Sequence, residues 1–205
     1  MQRRKKMKRK IAVLLTCLLV VLGTTSFAVT FTDLTNEHWA YEYISTLADS
    51  GVINGYPDGS YLPEGTISRA EFLKLVIAAS LPEGVDIKEA PMTFDHWAGQ
   101  YLYVAETYGI VQRRAITLEN IDEPITRIEM ALMISKADVM LKFNSLNTEK
   151  EITFNDIDEM TSEEVRWLTH AVNRGFIEGY PDNTFGTKLN MTRAEAATVI
   201  FRYTK

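Results

Sequence analysis

Three short runs in this chain place an arginine between a hydroxyl residue and a glutamate: Ser68-Arg69-Ala70-Glu71, Thr126-Arg127-Ile128-Glu129 and Thr192-Arg193-Ala194-Glu195. Each opens an apolar stretch. Ser/Thr followed three residues later by Glu is a capping box, in which the hydroxyl accepts from the Glu backbone N–H and the carboxylate reaches back to the cap's own N–H. Ser68 with Glu71, Thr126 with Glu129, and Thr192 with Glu195 therefore have a structural explanation. The arginines do not. Each falls at the first helical position, where the macrodipole is positive and a cation is disfavoured by about 0.3–1 kcal/mol. Negative charge must be close by. Two sources are open: an internal carboxylate such as Asp33 or Asp58, or an anionic ligand. A helix start plus a guanidinium fork suits a carboxylate or phosphate oxygen pair.

The loop leading to the arginine carries further candidates. "NGYPDGSYLPEGTI" and "EGYPDNTFGTKLNM" share a Gly-Tyr-Pro-Asp turn: Gly55, Tyr56, Pro57 and Asp58, then Gly179, Tyr180, Pro181 and Asp182. Pro and Asp set the turn. Tyr56, Tyr61, Tyr180 and Phe185 put aromatic surface beside charge-pairing groups, which suits sugar rings, whose apolar faces stack while hydroxyls and acids hydrogen-bond. Trp39 and Trp97 are open to two readings, core or stacking platform, with core the commoner use of such a residue.

These residues recur because the chain repeats. A shift of 58 lays Arg69 on Arg127, Gly51 on Gly109, Trp39 on Trp97 and His38 on His96; a shift of 124 lays Arg69 on Arg193 and Gly51, Gly55, Pro57 and Asp58 on Gly175, Gly179, Pro181 and Asp182. The repeats run over 31–80, 92–142 and 154–205, each read as helix, loop, helix. The first helix of the first repeat is predicted over "EHWAYEYISTLADSG", with Trp39 on its apolar face and Gly51 as the stop. The second helices carry stripes at helical period: Phe72, Leu75, Val76; Met130, Met133, Ile134; Ala196, Val199, Ile200. Two four-turn helices cannot hold a core alone, so an all-α fold is expected in which the repeats pack in a pseudo-threefold arrangement of second helices.

Residues 1–28 read differently. A basic stretch, "MQRRKKMKRK", precedes the apolar run "IAVLLTCLLVVLG" and small residues at Ser26 and Ala28, the pattern of a signal peptide cleaved after Ala28 and too short for a comfortable membrane span. Its removal takes away seven basic residues, so the formal charge moves from -5 to -12. A chain that acidic argues against nucleic acid as a partner. Cys17, the sole cysteine, lies in that segment, so the exported part holds no disulfide or thiolate site. With three histidines, no catalytic Ser-His-Asp order and no His-x-x-x-His spacing, no enzyme is expected and no cofactor is called for. The acids of "FNDIDEMTSEE" lack the glycine a calcium loop needs, so no metal site is assigned.

Together the Phe-x-Asp start, Trp-Ala, Gly-Tyr-Pro-Asp-Gly loop and Ile-Ser-Arg-Ala-Glu signature resemble an S-layer homology motif, present three times. The resemblance implies a three-pronged helical trimer of repeats that holds exported proteins at a bacterial cell wall without catalysis. It implies as ligand a secondary cell-wall polysaccharide bearing pyruvate ketals, or a peptidoglycan-linked glycan, bound in grooves between repeats with the signature arginine on the ketal carboxylate. Carried over by position, the binding set is Arg69, Arg127, Arg193, Trp39, Trp97, Asp33, Gly55, Tyr56, Asp58, Gly179, Tyr180 and Asp182. Alternatives are an adaptor for an S-layer or other exported protein, and an outer-membrane link to peptidoglycan. The repeats take up the whole exported stretch, which points to an assembly partner, a wall-coating component or a shortened relative of a larger surface protein. Two departures stand out. The second repeat has Arg113, Arg114 and Ala115 where Gly, Tyr and Pro belong, and the third has Glu163 in place of the Trp, with Trp167 one turn later expected in the core. Grooves using the second repeat's loop are therefore the suspect ones, unless Arg113 and Arg114 add anion contacts.

Overall fold

The computed structural model describes residues 29–81 and 86–205; the signal peptide read over 1–28 lies outside the described residues. Among the described residues six α-helices follow one another: α1 Tyr41–Asp49, α2 Arg69–Ala78, α3 Gly99–Thr107, α4 Arg127–Met140, α5 Ser162–Asn173 and α6 Arg193–Thr204. A short 3-10 turn, Ile87–Glu89, lies between the first two repeats. The three predicted capping boxes are present at α2, α4 and α6, and a fourth, Thr161 with Glu164, opens α5. Gly51, Gly109 and Gly175 follow α1, α3 and α5 at φ of +73°, +69° and +72°, a left-handed conformation that glycine adopts without strain.

The repeats interdigitate. The two helices of one repeat do not pack on each other: α3 lies against α2, α5 against α4, and α1 against α6, so every first helix packs on the second helix of the repeat before it in the ring. The second helices α2, α4 and α6 also meet one another at the centre. Around them a closed ring of backbone hydrogen bonds marks the pseudo-threefold axis. Ile67 N donates to Met191 O (3.0 Å), Met191 N to Ile125 O (3.1 Å), and Ile125 N to Ile67 O (3.0 Å).

Packing and ring do different jobs. Phe72, Leu73, Ile77, Met130, Ile134 and Ile200 are fully buried, each worth about 1.5–3 kcal/mol. A net backbone hydrogen bond contributes only about 0.5–1.5 kcal/mol. Burial therefore supplies most of the stability, and the ring sets how the three repeats register. The central helices are buried on most sides, which is why α2 hides Ala70, Phe72, Leu73, Leu75, Val76 and Ile77 instead of a narrow stripe.

Two expectations fail on the first helices. α1 begins at Tyr41, not near Glu37, and α3 at Gly99, so Trp39 and Trp97 precede the helices instead of riding on them. Both are more than half exposed, at 56% and 53%. The core reading is thus wrong for both tryptophans. His38 and His96 explain the geometry: each ring's Nδ1 accepts the N–H two residues on, from Ala40 and Ala98 at 3.1 Å. Nε2 then faces Glu64 at 2.9 Å and Asp122 at 3.2 Å. The turn so held turns the adjacent indole outward.

Because partner helices belong to different repeats, residues 29–81 made alone should show a coil-like far-ultraviolet circular dichroism spectrum. A cooperative helical melt from that fragment would contradict the interdigitated packing.

Candidate functional site

Each signature arginine reaches the capping glutamate of the next repeat. Arg69 Nε lies 2.9 Å from Glu129 Oε1, Arg193 Nη1 2.6 Å from Glu71 Oε1, and Arg127 Nη1 4.0 Å from Glu195 Oε1. Every one of these carboxylates divides its oxygens: Oε2 accepts its own cap's N–H, from Ser68, Thr126 and Thr192 at 2.8–2.9 Å, while Oε1 faces the neighbouring arginine. The internal partner is therefore neither Asp33 nor Asp58. Asp33 accepts from the N–H groups of Tyr61 and Leu62 at 2.7 Å each, and Asp58 from the N–H and hydroxyl of Ser60. Those Ser60 bonds hold the Asp58 carboxyl below its ordinary range, as Thr184 does for Asp182. All three acids lock loop shape.

The glycines are structural too. A Cβ at Gly55 would meet the Phe31 ring and the Ser60 carbonyl oxygen at 2.5 Å, and one at Gly179 would overlap the Phe154 ring. Of the four loop aromatics, Tyr61 and Phe185 are buried at 1% and 0%, whereas Tyr56 and Tyr180 are partly exposed. Burial pushes the Tyr61 phenol up to about 12.

The three junctions between repeats are not alike. In the first, Arg193 has its guanidinium carbon 4.8 Å from the ring centres of both Tyr56 and Tyr61, and Nε donates to Tyr61 O at 2.7 Å. Tyr56 also donates to Glu71 Oε1 at 3.2 Å, so Arg193, Tyr56 and Glu71 form one network. Gly55, Tyr56, Lys74, Trp97 and Arg193 line a cleft of about 200 Å³ there, bringing predicted site residues from all three repeats together.

The second junction centres on Arg127. Its guanidinium carbon lies 4.7 Å from the Tyr180 ring and 5.1 Å from Phe185, repeating the arrangement at Arg193. Its neutralisation is poorer. Nη2 donates to Glu178 O and Nη1 to Met191 Sδ at 3.7 Å. The Arg127 Nε is buried without a hydrogen-bond partner among the described residues. Burial pulls this guanidinium below its ordinary value. Trp39 stands ahead of α1, which packs on α6, the helix bearing Glu195.

In the third cleft Arg69 is fully engaged: Nε and Nη2 on Glu129, Nη1 on Glu123 Oε2 at 3.2 Å and on Asn120 O at 3.1 Å. Among the described residues no aromatic ring covers it. Gln112, Ala115, Leu132, Lys136, Glu163 and Trp167 line about 380 Å³ here. The altered loop and the missing Trp, some 50 residues apart in the chain, have folded into the same cleft. The Thr161 box starts α5 about three residues early by repeat register, displacing the His–Trp turn, and Trp167 lies half-buried on the cleft wall instead of in the core.

A histidine–aspartate pair that the sequence reading passed over sits away from the clefts. His170 is 0% exposed between α4 and α5; Nε2 faces Asp138 Oδ2 at 3.1 Å and Nδ1 accepts Asn147 N–H at 2.7 Å. Both nitrogens are committed, so the ring has no free lone pair for base chemistry and ties the 142–150 segment to the core. Only the repeat mismatch of His170, which has no counterpart at the shifted positions, marked it in the sequence.

A family model described as S-layer homology domain matches residues 30–73 and 153–197. The chain carries S-layer homology repeats at these two positions. Among relatives, it is 29% identical over 186 residues to "Exoglucanase XynX" of Acetivibrio thermocellus, covering 87% of this chain and 16% of that protein. It is 29% identical over 184 residues to "S-layer protein EA1" of Bacillus anthracis, covering 88% and 21%. A third is "Cellulosome-anchoring protein" of A. thermocellus, 27% identical over 116 residues, covering 54% and 26%. The chain thus spans about a quarter or less of each relative's length, and what it shares with the enzyme is the repeat region. An S-layer homology domain is a non-catalytic anchoring module, and these relatives make the chain a secreted cell-surface protein. The middle repeat, outside both matched segments, completes the same ring.

The buried His170 sets a pH dependence. Desolvation lowers its folded pKa despite the Asp138 bond, so as pH falls through about 6.5 the unfolded chain binds the proton first. Its contribution to stability is present above that pH and lost below it. The thermal midpoint should therefore fall from pH 7 to pH 5, with a shallower slope in His170→Gln; a midpoint that holds or rises across this window would contradict the assignment.

Proposed function

We propose that this chain anchors at the cell wall by binding an acidic polysaccharide, pyruvate-ketal-bearing by the family resemblance, at the junctions of Arg127 and Arg193. The observation that carries this reading is Arg127: a cation more than nine-tenths buried, sandwiched by Tyr180 and Phe185, its nearest carboxylate at 4.0 Å and its Nε unpartnered. A buried cation so weakly compensated is costly in an isolated protein. An incoming carboxylate supplies what the fold leaves out.

The route in passes the loop tyrosine. Tyr180 is 36% exposed and lies over the guanidinium, so the acid enters at the edge of that ring while a sugar face stacks on Tyr180 or on the exposed indole of Trp39. Arg193 with Tyr56 and Trp97 offers the same set, though Glu71 at 2.6 Å competes with the ligand for the guanidinium. The Arg127 junction is therefore the tighter site. Arg69, held by two carboxylates, serves the fold.

A charge-assisted hydrogen bond is worth about 1.5–3 kcal/mol, so Arg127→Ala should weaken binding to isolated parental walls on the order of 10- to 100-fold, with helical circular dichroism retained. Arg69→Ala should leave wall affinity within about twofold while lowering the unfolding midpoint, since Glu129 and Glu123 lose their cation. The decisive comparison is sedimentation with walls from a ketal-deficient strain beside the parent. Equal recovery from both would remove the carboxylate from the mechanism.

A further inference from the structure

The third cleft differs from its sisters in every part that would read a carboxylated sugar. Its signature Arg69 is neutralised twice, by Glu129 and Glu123. The loop tyrosine is replaced by Arg114 and the indole ahead of the first helix by Glu163. Lys74 of the first cleft becomes Leu132, and with Val111, Ile116 and Met133 it makes an aliphatic floor. The cleft is also larger, about 380 Å³ against about 200 Å³. Aliphatic floors take aliphatic side chains; sugar faces stack on aromatic ones.

The rim is asymmetric in charge. Arg113 and Arg114 are exposed beside the lining residues Gln112 and Ala115, and Lys136 lies 5.8 Å from the Trp167 ring centre on the far wall. Among the described residues none of these three cations has a carboxylate within 4.0 Å. The acids of the cleft are already engaged. Glu129 serves Arg69 and the α4 cap, Glu164 caps α5, and Glu163 accepts from Trp167 Nε1 at 3.4 Å. Glu164 feels the Lys136 charge and Glu106 accepts the Arg114 backbone N–H at 2.9 Å, but three cations without a direct ion pair on a chain of net negative charge leave this rim complementary to an anion.

We infer that this cleft is a docking site for a polypeptide segment that inserts an aliphatic side chain between Leu132 and Trp167 and sets flanking Asp or Glu carboxylates on Arg113, Arg114 and Lys136. The site is separate from the wall-polymer junctions, so the chain can hold a second exported protein while anchored. Such a segment reads as an apolar anchor within a charged rim, the usual anatomy of a small interface.

Selection of a displayed random-peptide library on the full chain tests this. Enriched peptides should carry Leu, Ile or Val next to Asp or Glu. Their affinity should fall at least tenfold in the double variant Arg113→Glu/Arg114→Glu and in Leu132→Lys, which installs the residue of the first cleft at a half-buried position that already accepts it there. Wall-polymer binding should be unchanged in both. No enrichment, enrichment of basic peptides, or peptides whose affinity survives both substitutions would overturn the inference. Loss of wall-polymer binding in the double variant would overturn it equally, by making this cleft a third glycan site.

Discussion

Everything in this molecule is built on a cyclic exchange at the three central helix starts. The first N–H groups of a helix have no partner within it. Here they are given to the loop of a neighbour: Arg69 N to Glu123 O at 3.0 Å, Arg127 N to Leu189 O and Arg193 N to Gly65 O at 2.8 Å each. The next residues, Ala70 and Ala194, donate similarly to Ile121 O and Pro63 O. Each repeat's capping box satisfies the third of these N–H groups from within, but the first is satisfied only by a neighbour, so no repeat completes its own helix start. The same junction places each signature guanidinium against the next repeat's capping carboxylate, which is how a cation comes to be tolerated where the helix field opposes it.

That junction also sets the degree of neutralisation, and function follows from the differences. Arg69 meets two carboxylates, Arg193 one at short range, and Arg127 one at the limit of an ion pair. The gradient runs opposite to aromatic coverage, which among the described residues is present over Arg127 and Arg193 and lacking over Arg69. An architecture that is threefold in its backbone is thus graded in its chemistry: one junction closed on itself by charge, one partly committed, one short of an anion.

Much of this was legible in the sequence because it is local. Capping boxes, glycine stops and the 58- and 124-residue shifts depend on neighbours within a turn or two, and all three signalled the right elements. The stripes Met130, Met133, Ile134 and Ala196, Val199, Ile200 foretold burial correctly. What escaped depends on which repeat stands beside which. The partner of Arg193 is Glu71, 122 residues away, and nothing at either position says so. Trp39 and Trp97 fit the helical stripe, yet a histidine-capped turn delays the helix and exposes them. The altered loop at Arg113 and the missing Trp at Glu163 read as two separate blemishes; interdigitation makes them one remodelled cleft.

The central claim, that Arg127 is the guanidinium left short of a counter-charge by the fold, can be read at the atom concerned. In ¹⁵N-labelled protein the arginine Nε–H resonances report each side chain separately as parental wall polysaccharide is titrated in. The account predicts that the Arg127 Nε–H signal shifts most and gains protection from solvent exchange, Arg193 less, and Arg69 hardly at all. Saturable shifts at Arg69 with Arg127 unmoved would contradict it.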